Sequence, residues 1–256
     1  MDYNEDFENG YTATRNGNIY YMHHPGTSES ILFLHGLGAS TMVWQRLVKF
    51  IDEKFDVYLI DLLGHGNSDA PRIDYTVDAL CDSVYDVINN FGIAAPYIFG
   101  HSYGGLVAAQ TEYKYRLTKG LILEDAAGLE ENFGRIEKND KQERYKETVL
   151  KEAMKLNSNK DYVLRSILDS YFGSAKLTGD LLGEISKPTL LIWGSDDRII
   201  SIDYANTLSK LIKNSTLHIV KGAGHDPHFT HPEEVASELE AFIAANDTAD
   251  KTGATR

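Results

Sequence analysis

Apolar residues occur along this chain mostly in short continuous runs, each of which ends in a glycine-rich or polar segment. Runs of this kind are typical of strands that are buried on both faces of a sheet. The runs predict strands at residues 31–34, 57–61, 97–99, 121–123, 189–193 and 217–220. Two short alternating runs, 11–15 and 19–23, flank Asn16-Gly17-Asn18 and predict an N-terminal hairpin.

Between these runs the apolar residues recur every three or four positions, which indicates helices with one buried face. The clearest stripe consists of Val77, Leu80, Cys81, Val84, Val87 and Ile88. Further helices are predicted near residues 41–50, after Gly105, and at 232–245. Strands that alternate with helices predict an α/β fold, with a mostly parallel central sheet and helices on both faces.

Residues 126–187 interrupt this alternation. From Arg135 to Phe172 the sequence is heavily charged and contains neither glycine nor proline, which predicts two helices divided near Asn157-Ser158-Asn159. Their apolar residues are Tyr145, Val149, Leu150 and Met154 in the first, and Val163, Ile167, Leu168, Tyr171 and Phe172 in the second. We expect a core of residues 1–125 and 188–246, a helical cap at 126–187 and a disordered polar tail at 247–256. A solvated helical insertion and a substrate lid explain this distribution of charged and apolar residues equally well.

Composition narrows the class of protein. Of the 256 residues one is cysteine, Cys81, so no disulfide forms within the chain and a reducing, cytoplasmic location is expected. The net charge of −13 and the pI near 5.1 argue against nucleic-acid and anionic-membrane partners. No apolar run is long enough to span a membrane, and the acidic N-terminus is unlike a secretory signal.

A candidate nucleophile lies between a predicted strand and a predicted helix. Gly100-His101-Ser102-Tyr103-Gly104 matches the pattern G-x-S-x-G, in which small residues flank a serine on a tight turn. Such a serine needs a base, because its hydroxyl is a poor nucleophile at neutral pH. Ser102 is therefore predicted to be the nucleophile of a hydrolase.

Nine histidines compete for the role of base. His225 follows the last predicted strand through a glycine-containing loop, which can carry the side chain over the edge of the sheet. His228 and His231 lie on the same connection, and a metal site made of His225, Asp226, His228 and His231 is an alternative. We expect His225 to be the base and expect no metal.

Three carboxylates compete for the role of the acid that orients the histidine. Asp196 and Asp197 follow one predicted strand, and Asp125 follows another. All three are expected at the carboxyl edge of the sheet, where ligands bind in open α/β folds. The strand that ends in His35-Gly36 places the Leu37 amide where it can meet the Tyr103 amide, and the two form a candidate oxyanion hole.

These motifs occur in an order that resembles the α/β-hydrolase family over nearly all of residues 10–245. The family's G-x-x-D pattern selects Asp197 as the acid, and its Gly-His pair selects His225 as the base. Its oxyanion loop corresponds to Leu37 and Tyr103. Asp61-Leu62-Leu63-Gly64-His65-Gly66-Asn67-Ser68 resembles the family loop D-x-x-G-x-G-x-S, in which we expect His65 to be structural.

The resemblance implies a carboxylesterase that acts on a small ester and needs no cofactor. Ser102 would attack the ester carbonyl, His225 would move the proton and Asp197 would hold the imidazole. Tyr171 and Phe172 of the cap are expected to line the acyl pocket. Hydrolysis of a carbon–carbon bond, a peroxide-using reaction and a non-catalytic ligand receptor remain alternatives.

Overall fold

The computed structural model describes residues 1–129, 140–156, 160–173 and 176–253. Within these residues the strands are β1 (Glu8–Thr14), β2 (Gly17–His24), β3 (Ser30–Leu34), β4 (Asp56–Ile60), β5 (Tyr97–His101), β6 (Gly120–Glu124), β7 (Thr189–Gly194) and β8 (Ser215–Val220). The α-helices are α1 (Val77–Asn90), α2 (Tyr103–Tyr115), α3 (Asp140–Leu156), α4 (Asp161–Gly173), α5 (Gly179–Glu184), α6 (Ile202–Leu211), α7 (Pro227–Thr230) and α8 (Pro232–Gly253).

The strands form one sheet in the order β1-β2-β4-β3-β5-β6-β7-β8. The hairpin strand β2 pairs antiparallel with β1 and β4, and every pair from β4 to β8 is parallel. The predicted α/β class and the hairpin are therefore confirmed. Because β5, β6, β7 and β8 are neighbours and parallel, the segments that follow them meet at one edge of the sheet.

Two apolar layers cover the sheet, one on each face. Alternate residues of one strand divide between them: Leu32 and Leu34 face α1, α2 and α6, whereas Ile31 and Phe33 face α8 and the segment after β3. All four side chains are fully buried. This division explains why the central strands read as continuous apolar runs.

The segment predicted as helical at 41–50 is helical, and it forms two short 3₁₀-helices, Thr41–Gln45 and Leu47–Phe50. Its buried residues Thr41, Trp44 and Leu47 recur every three positions, which is the period of a 3₁₀-helix. The last helix continues to Gly253, whereas the sequence predicted its end at Ala245 and a disordered tail from Asp247. The final three residues of that tail lie outside the described residues.

The insertion contains the two expected helices, α3 and α4, while the expected break at Asn157-Ser158-Asn159 lies outside the described residues. Leu150 and Ala153 of α3 pack against Leu164, Leu168 and Phe172 of α4. Helix α4 is also fastened to the core, because the Lys160 ammonium donates to the carbonyls of Gly66 and Ser68. Among the residues that the structure describes, no helix has both the length and the apolarity needed to cross a membrane.

Candidate active site

Ser102 lies at the tip of a strained turn between β5 and α2. Its backbone has φ +51° and ψ −116°, a conformation that non-glycine residues rarely adopt. The Ser102 amide donates to the Glu124 carbonyl at 2.9 Å, and its carbonyl accepts from the Ala127 amide at 3.0 Å. These two bonds tie the turn to the end of β6 and hold the serine side chain, half-buried, at the carboxyl edge of the sheet.

The glycines on either side of Ser102 are needed for close packing of backbones. A Cβ at Gly100 would lie 2.4 Å from the Gly104 carbonyl oxygen, and a Cβ at Gly104 would lie 2.2 Å from the Leu34 carbonyl oxygen. Both distances are far below van der Waals contact. The G-x-S-x-G spacing is therefore a steric requirement of this turn as well as a sequence motif.

His225 joins Ser102 to Asp197. The Ser102 hydroxyl lies 3.0 Å from His225 Nε2, and His225 Nδ1 lies 2.8 Å from Asp197 Oδ2. With Nδ1–H donating to the carboxylate, Nε2 is free to accept the serine proton. The structure thus brings together the three residues that the sequence assigned to these roles, from the ends of β5, β7 and β8.

The Asp197 carboxylate is held by several donors. Its Oδ1 accepts from the amides of Ile199 at 2.7 Å and Ile200 at 3.0 Å, and its side chain is 0% exposed. Burial alone would raise the pKa of Asp197, but the hydrogen bonds from His225 and from these two amides outweigh burial and lower it. Asp197 is therefore ionised at neutral pH.

The two rival carboxylates occupy different positions. Asp196 is exposed, and its Oδ1 accepts from the Ser195 hydroxyl at 2.9 Å rather than from a histidine. Asp125 is fully buried, and its Oδ1 accepts from the Gly194 amide at 3.1 Å. Of the three candidates, Asp197 is the one that is hydrogen-bonded to His225.

Leu37 and Tyr103 line the same cleft as Ser102. Tyr103 is the first residue of α2, so its N–H belongs to the unpaired donors at a helix N-terminus. Within the described part of the chain, neither N–H donates to a protein acceptor. Both are thus available for an anionic oxygen beside Ser102.

The loop after β4 is built around Asp61. Asp61 accepts from the amides of Thr41 at 2.6 Å and Asn67 at 2.7 Å, which fixes the loop against the segment after β3. His65 is fully buried in this loop and its Nδ1–H donates to the Leu63 carbonyl. Burial and the neighbouring His35 lower the pKa of His65 to about 3, so the ring is neutral at physiological pH. These contacts agree with the structural role expected for His65.

A buried pair of hydrogen-bonded side chains, Glu124 and His228, lies next to the loop that carries His225. Sequence analysis did not identify this pair. Glu124 accepts from the His228 amide at 2.8 Å and from His228 Nδ1 at 2.5 Å. Beside this pair, His101 Nε2 donates to the His225 carbonyl at 2.8 Å. The bonds fix the loop that carries His225. The sequence feature that could have indicated this pair is Glu124 itself, a charged residue at the end of an otherwise apolar strand.

Replacing Glu124 by alanine should lower the free energy of unfolding by about 3 kcal/mol, because it leaves the buried His228 amide and the buried His228 Nδ1 without the acceptor that they bond to. Urea denaturation would measure this loss. The matched control is Glu234→Ala, which breaks the exposed 2.8 Å pair of Glu234 with His218 and should cost less than about 1 kcal/mol. Equal losses in the two variants would contradict the anchoring role of Glu124.

The metal site considered from sequence is not formed. His225 turns to Asp197 and His228 turns to Glu124, while His231 Nδ1 contacts the Thr230 hydroxyl. The described residues do bring two other groups of potential ligands together, which share His101: His101, Asp125 and His225, and His101, Glu124 and His228. The histidines of both groups already hydrogen-bond to protein oxygens, so each ring is held without an ion.

A cleft with a cavity volume of about 100 Å³ opens above Ser102. Its lining is mainly apolar and consists of Leu37, Ser102, Tyr103, Ala127, Val149, Ile167, Leu168, Tyr171, Phe172, Ile199 and Ile200. Both predicted pocket residues, Tyr171 and Phe172, are among them. The Tyr171 ring packs edge-on to the rings of Tyr103, at 6.2 Å, and Phe172, at 5.2 Å. The cap thus forms one wall of the cleft and the core forms its floor.

Comparison with known proteins supports the resemblance seen in the sequence. The profile described as the alpha/beta hydrolase family matches residues 31–238. Lipase 1 of Psychrobacter immobilis is 25% identical over 256 residues, which cover 89% of this chain and 78% of the lipase. A 2-hydroxy-6-oxo-6-(2'-aminophenyl)hexa-2,4-dienoic acid hydrolase of Metapseudomonas resinovorans is 23% identical, over 86% of this chain and 85% of that enzyme.

The structure of a thermophilic esterase from Thermogutta terrifontis is similar to this one in fold. The two agree with a TM-score of 0.78 at 22% identity, and the match covers 93% of this chain and 99% of the esterase. The family profile spans most of the sequence, and the sheet has the strand arrangement expected from the resemblance. The chain therefore belongs to the alpha/beta hydrolase family.

Proposed function

We propose that this protein hydrolyses small carboxylic esters through an acyl-enzyme on Ser102. The observation that carries the proposal is the unbroken chain of hydrogen bonds from Ser102 through His225 to Asp197 on the floor of an apolar cleft. A serine, a neutral histidine and an ionised aspartate in this order are the groups that acyl transfer requires.

The reaction proceeds in two halves. Ser102 Oγ bonds to the ester carbonyl carbon while its proton passes to His225 Nε2, and the carbonyl oxygen becomes an oxyanion that the amides of Leu37 and Tyr103 stabilise. When the carbon–oxygen bond to the alcohol breaks, the alcohol leaves with the proton of His225. A water molecule then gives a proton to His225 Nε2 as its oxygen bonds to the acyl carbon. The bond from the acyl carbon to Ser102 Oγ breaks, His225 returns the proton to Oγ, and the carboxylic acid leaves.

The cleft favours acyl chains of short to medium length. Its walls present apolar side chains, which suit a hydrocarbon chain, and its cavity volume of about 100 Å³ lies below the range usual for small-molecule sites, which disfavours long acyl chains. The relatives named lipase and esterase support ester chemistry in general. The dienoic acid hydrolase is the observation that favours the second candidate, hydrolysis of a carbon–carbon bond.

A series of nitrophenyl esters from acetate to palmitate tests this proposal. We expect the highest kcat/KM between acetate and octanoate, and a clear decline toward palmitate. A vinylogous diketone added to the series distinguishes the second candidate: turnover of the diketone without turnover of any ester would overturn the esterase assignment. Absence of all turnover, with ligand binding retained, would instead favour a receptor.

Tyr171→Ala should shift the preference toward longer acyl chains. Removing the ring opens the cap wall of the cleft beside Tyr103, which makes room for additional methylene groups, each worth about 0.8 kcal/mol when buried. The ratio of kcat/KM for decanoate to that for butyrate measures the shift, and we expect it to rise about tenfold or more.

Phe172→Ala should show a smaller shift in chain length and a larger loss of stability, because Phe172 is 7% exposed and also packs inside the cap. Leu164→Ala is the matched control, since Leu164 is buried in the same cap cluster but does not line the cleft. It should lower the melting temperature and leave the chain-length profile unchanged. If Tyr171→Ala behaves like this control, the cap does not limit the acyl pocket.

A further inference from the structure

Asp125 is a buried carboxyl group that the mechanism above does not use. It follows β6 directly, is 0% exposed and has φ +43°. Its amide donates to the Ile192 carbonyl at 3.0 Å, which fixes the backbone in this left-handed conformation. Outside glycine, aspartate and asparagine tolerate that conformation best. The position therefore holds a short polar side chain rigidly at the centre of the sheet edge.

The two oxygens of Asp125 have different surroundings. Oδ1 accepts the Gly194 amide at 3.1 Å, whereas Oδ2 is buried and receives no donor from the part of the chain that the structure describes. The carboxyl group faces Asp197 within hydrogen-bonding reach. Two carboxylate oxygens in contact would repel each other, so one of the two groups must carry a proton.

The surrounding groups decide which carboxyl group is protonated. Asp197 receives three donors, which lower its pKa, whereas Asp125 receives one. Burial and the neighbouring carboxyl groups of Glu124 and Asp197 raise the pKa of Asp125 to about 11. A nitrogen of His101 and one of His225 also lie within 4.8 Å of an Asp125 oxygen, and both rings are engaged elsewhere. The proton thus belongs on Asp125 and the negative charge on Asp197.

We infer that Asp125 is a neutral carboxylic acid whose Oδ2–H donates a hydrogen bond to the Asp197 carboxylate and thereby positions the group that orients His225. The inference rests on the proposed function, because it assigns Asp197 to the triad. It accounts for the Oδ2 atom that otherwise has no partner. Asp125 is in this role a positioning residue, since it acts through Asp197 and touches no substrate.

Two substitutions separate a neutral donor from a charged acid. Asp125→Ala removes the donor and should lower kcat by about 10- to 100-fold, the range for a lost hydrogen bond to a charged group. Asp125→Asn restores an N–H donor toward Asp197 and a carbonyl acceptor toward the Gly194 amide, and asparagine tolerates the positive φ. It should therefore recover most of the activity that alanine loses, with KM unchanged.

The pH profile of kcat/KM gives a second readout that a merely structural role would not predict. If Asp125 is neutral, Asp125→Asn leaves the acid limb where it is in the wild type. If Asp125 were ionised beside His225, the asparagine variant would lose a negative charge that favours the imidazolium. The acid limb would then move to lower pH by about one unit, and the inference would be wrong. An asparagine variant less active than the alanine variant would overturn it as well.

Infrared spectroscopy tests the proton without any turnover, and so separates this inference from the proposed function. At neutral pH the wild type should show the C=O stretching band of a buried carboxylic acid, and the difference spectrum against Asp125→Asn should assign the band to this residue. A band that is absent, or that persists in Asp125→Asn, overturns the inference even if the protein hydrolyses esters. A band that disappears supports it even if no ester is turned over.

Discussion

Ser102→Ala should lower the turnover of the best nitrophenyl ester by about 10⁴- to 10⁶-fold, because loss of a triad nucleophile removes the covalent path altogether. The fold should persist, since Ser102 contributes its backbone, not its hydroxyl, to the bonds with β6. A steady-state assay with purified protein measures the rate, and circular dichroism checks the fold. Labelling by a fluorophosphonate, which modifies activated serines, should be lost in the same variant.

The matched control for this substitution is Ser195→Ala. Ser195 stands on the same edge of the sheet, where its hydroxyl donates to Asp196 and accepts from the Gly222 amide at 2.8 Å, away from His225. Its alanine variant should retain both the rate, within several-fold, and the labelling. If Ser102→Ala keeps more than about a tenth of the wild-type rate, Ser102 is not the nucleophile.

Much of the fold was predictable because its central strands are buried on both faces. Strands such as β3 and β5 consist almost entirely of apolar residues, so their sequences differ sharply from the amphipathic helices between them. The edge strand β8 is only half-buried over most of its length and was still predicted from the run Leu217-His218-Ile219-Val220. The helical stretch predicted at 41–50 is present, but its 3₁₀ type was not predictable, because ten residues cannot distinguish a period of three from one of 3.6.

The parts of the candidate site that short motifs and their order along the chain identify were predictable. Ser102, Asp197 and His225 each follow a separate strand, and the strand order then brings them together without further information. The groups around them depend on three-dimensional neighbours instead. Glu124 meets His228 across 104 positions of the chain, and Asp125 meets Asp197 across the adjacent strands β6 and β7. No local sequence pattern records those contacts.

These surrounding groups explain how the proposed triad, whose members come from three separate loops, can be rigid. Glu124 and His101 hold the loop of His225, and the amides of Ile199 and Ile200 hold Asp197. None of these bonds involves a residue of the cap, which forms one wall of the cleft. The cap is held separately, because Lys160, directly before α4, donates to the core carbonyl of Gly66. Chain-length preference can therefore change through the cap without disturbing the catalytic groups.

Asp197→Asn should lower kcat by about 10⁴-fold with little change in KM or in the melting temperature. The amide keeps the shape of the carboxylate, but its NH₂ group can donate to His225 Nδ1, so the imidazole adopts the tautomer with the proton on Nε2 and cannot accept the proton of Ser102. The negative charge that stabilises the imidazolium is lost at the same time. Stopped assays over long times measure the residual rate.

Asp196→Asn is the matched control, because Asp196 is adjacent, exposed and bonded to Ser195 instead of His225. The kcat of this variant should stay within several-fold of the wild-type value. A loss greater at Asp196 than at Asp197 would move the acid of the triad to the neighbouring residue and would require the loop after β7 to rearrange when substrate binds.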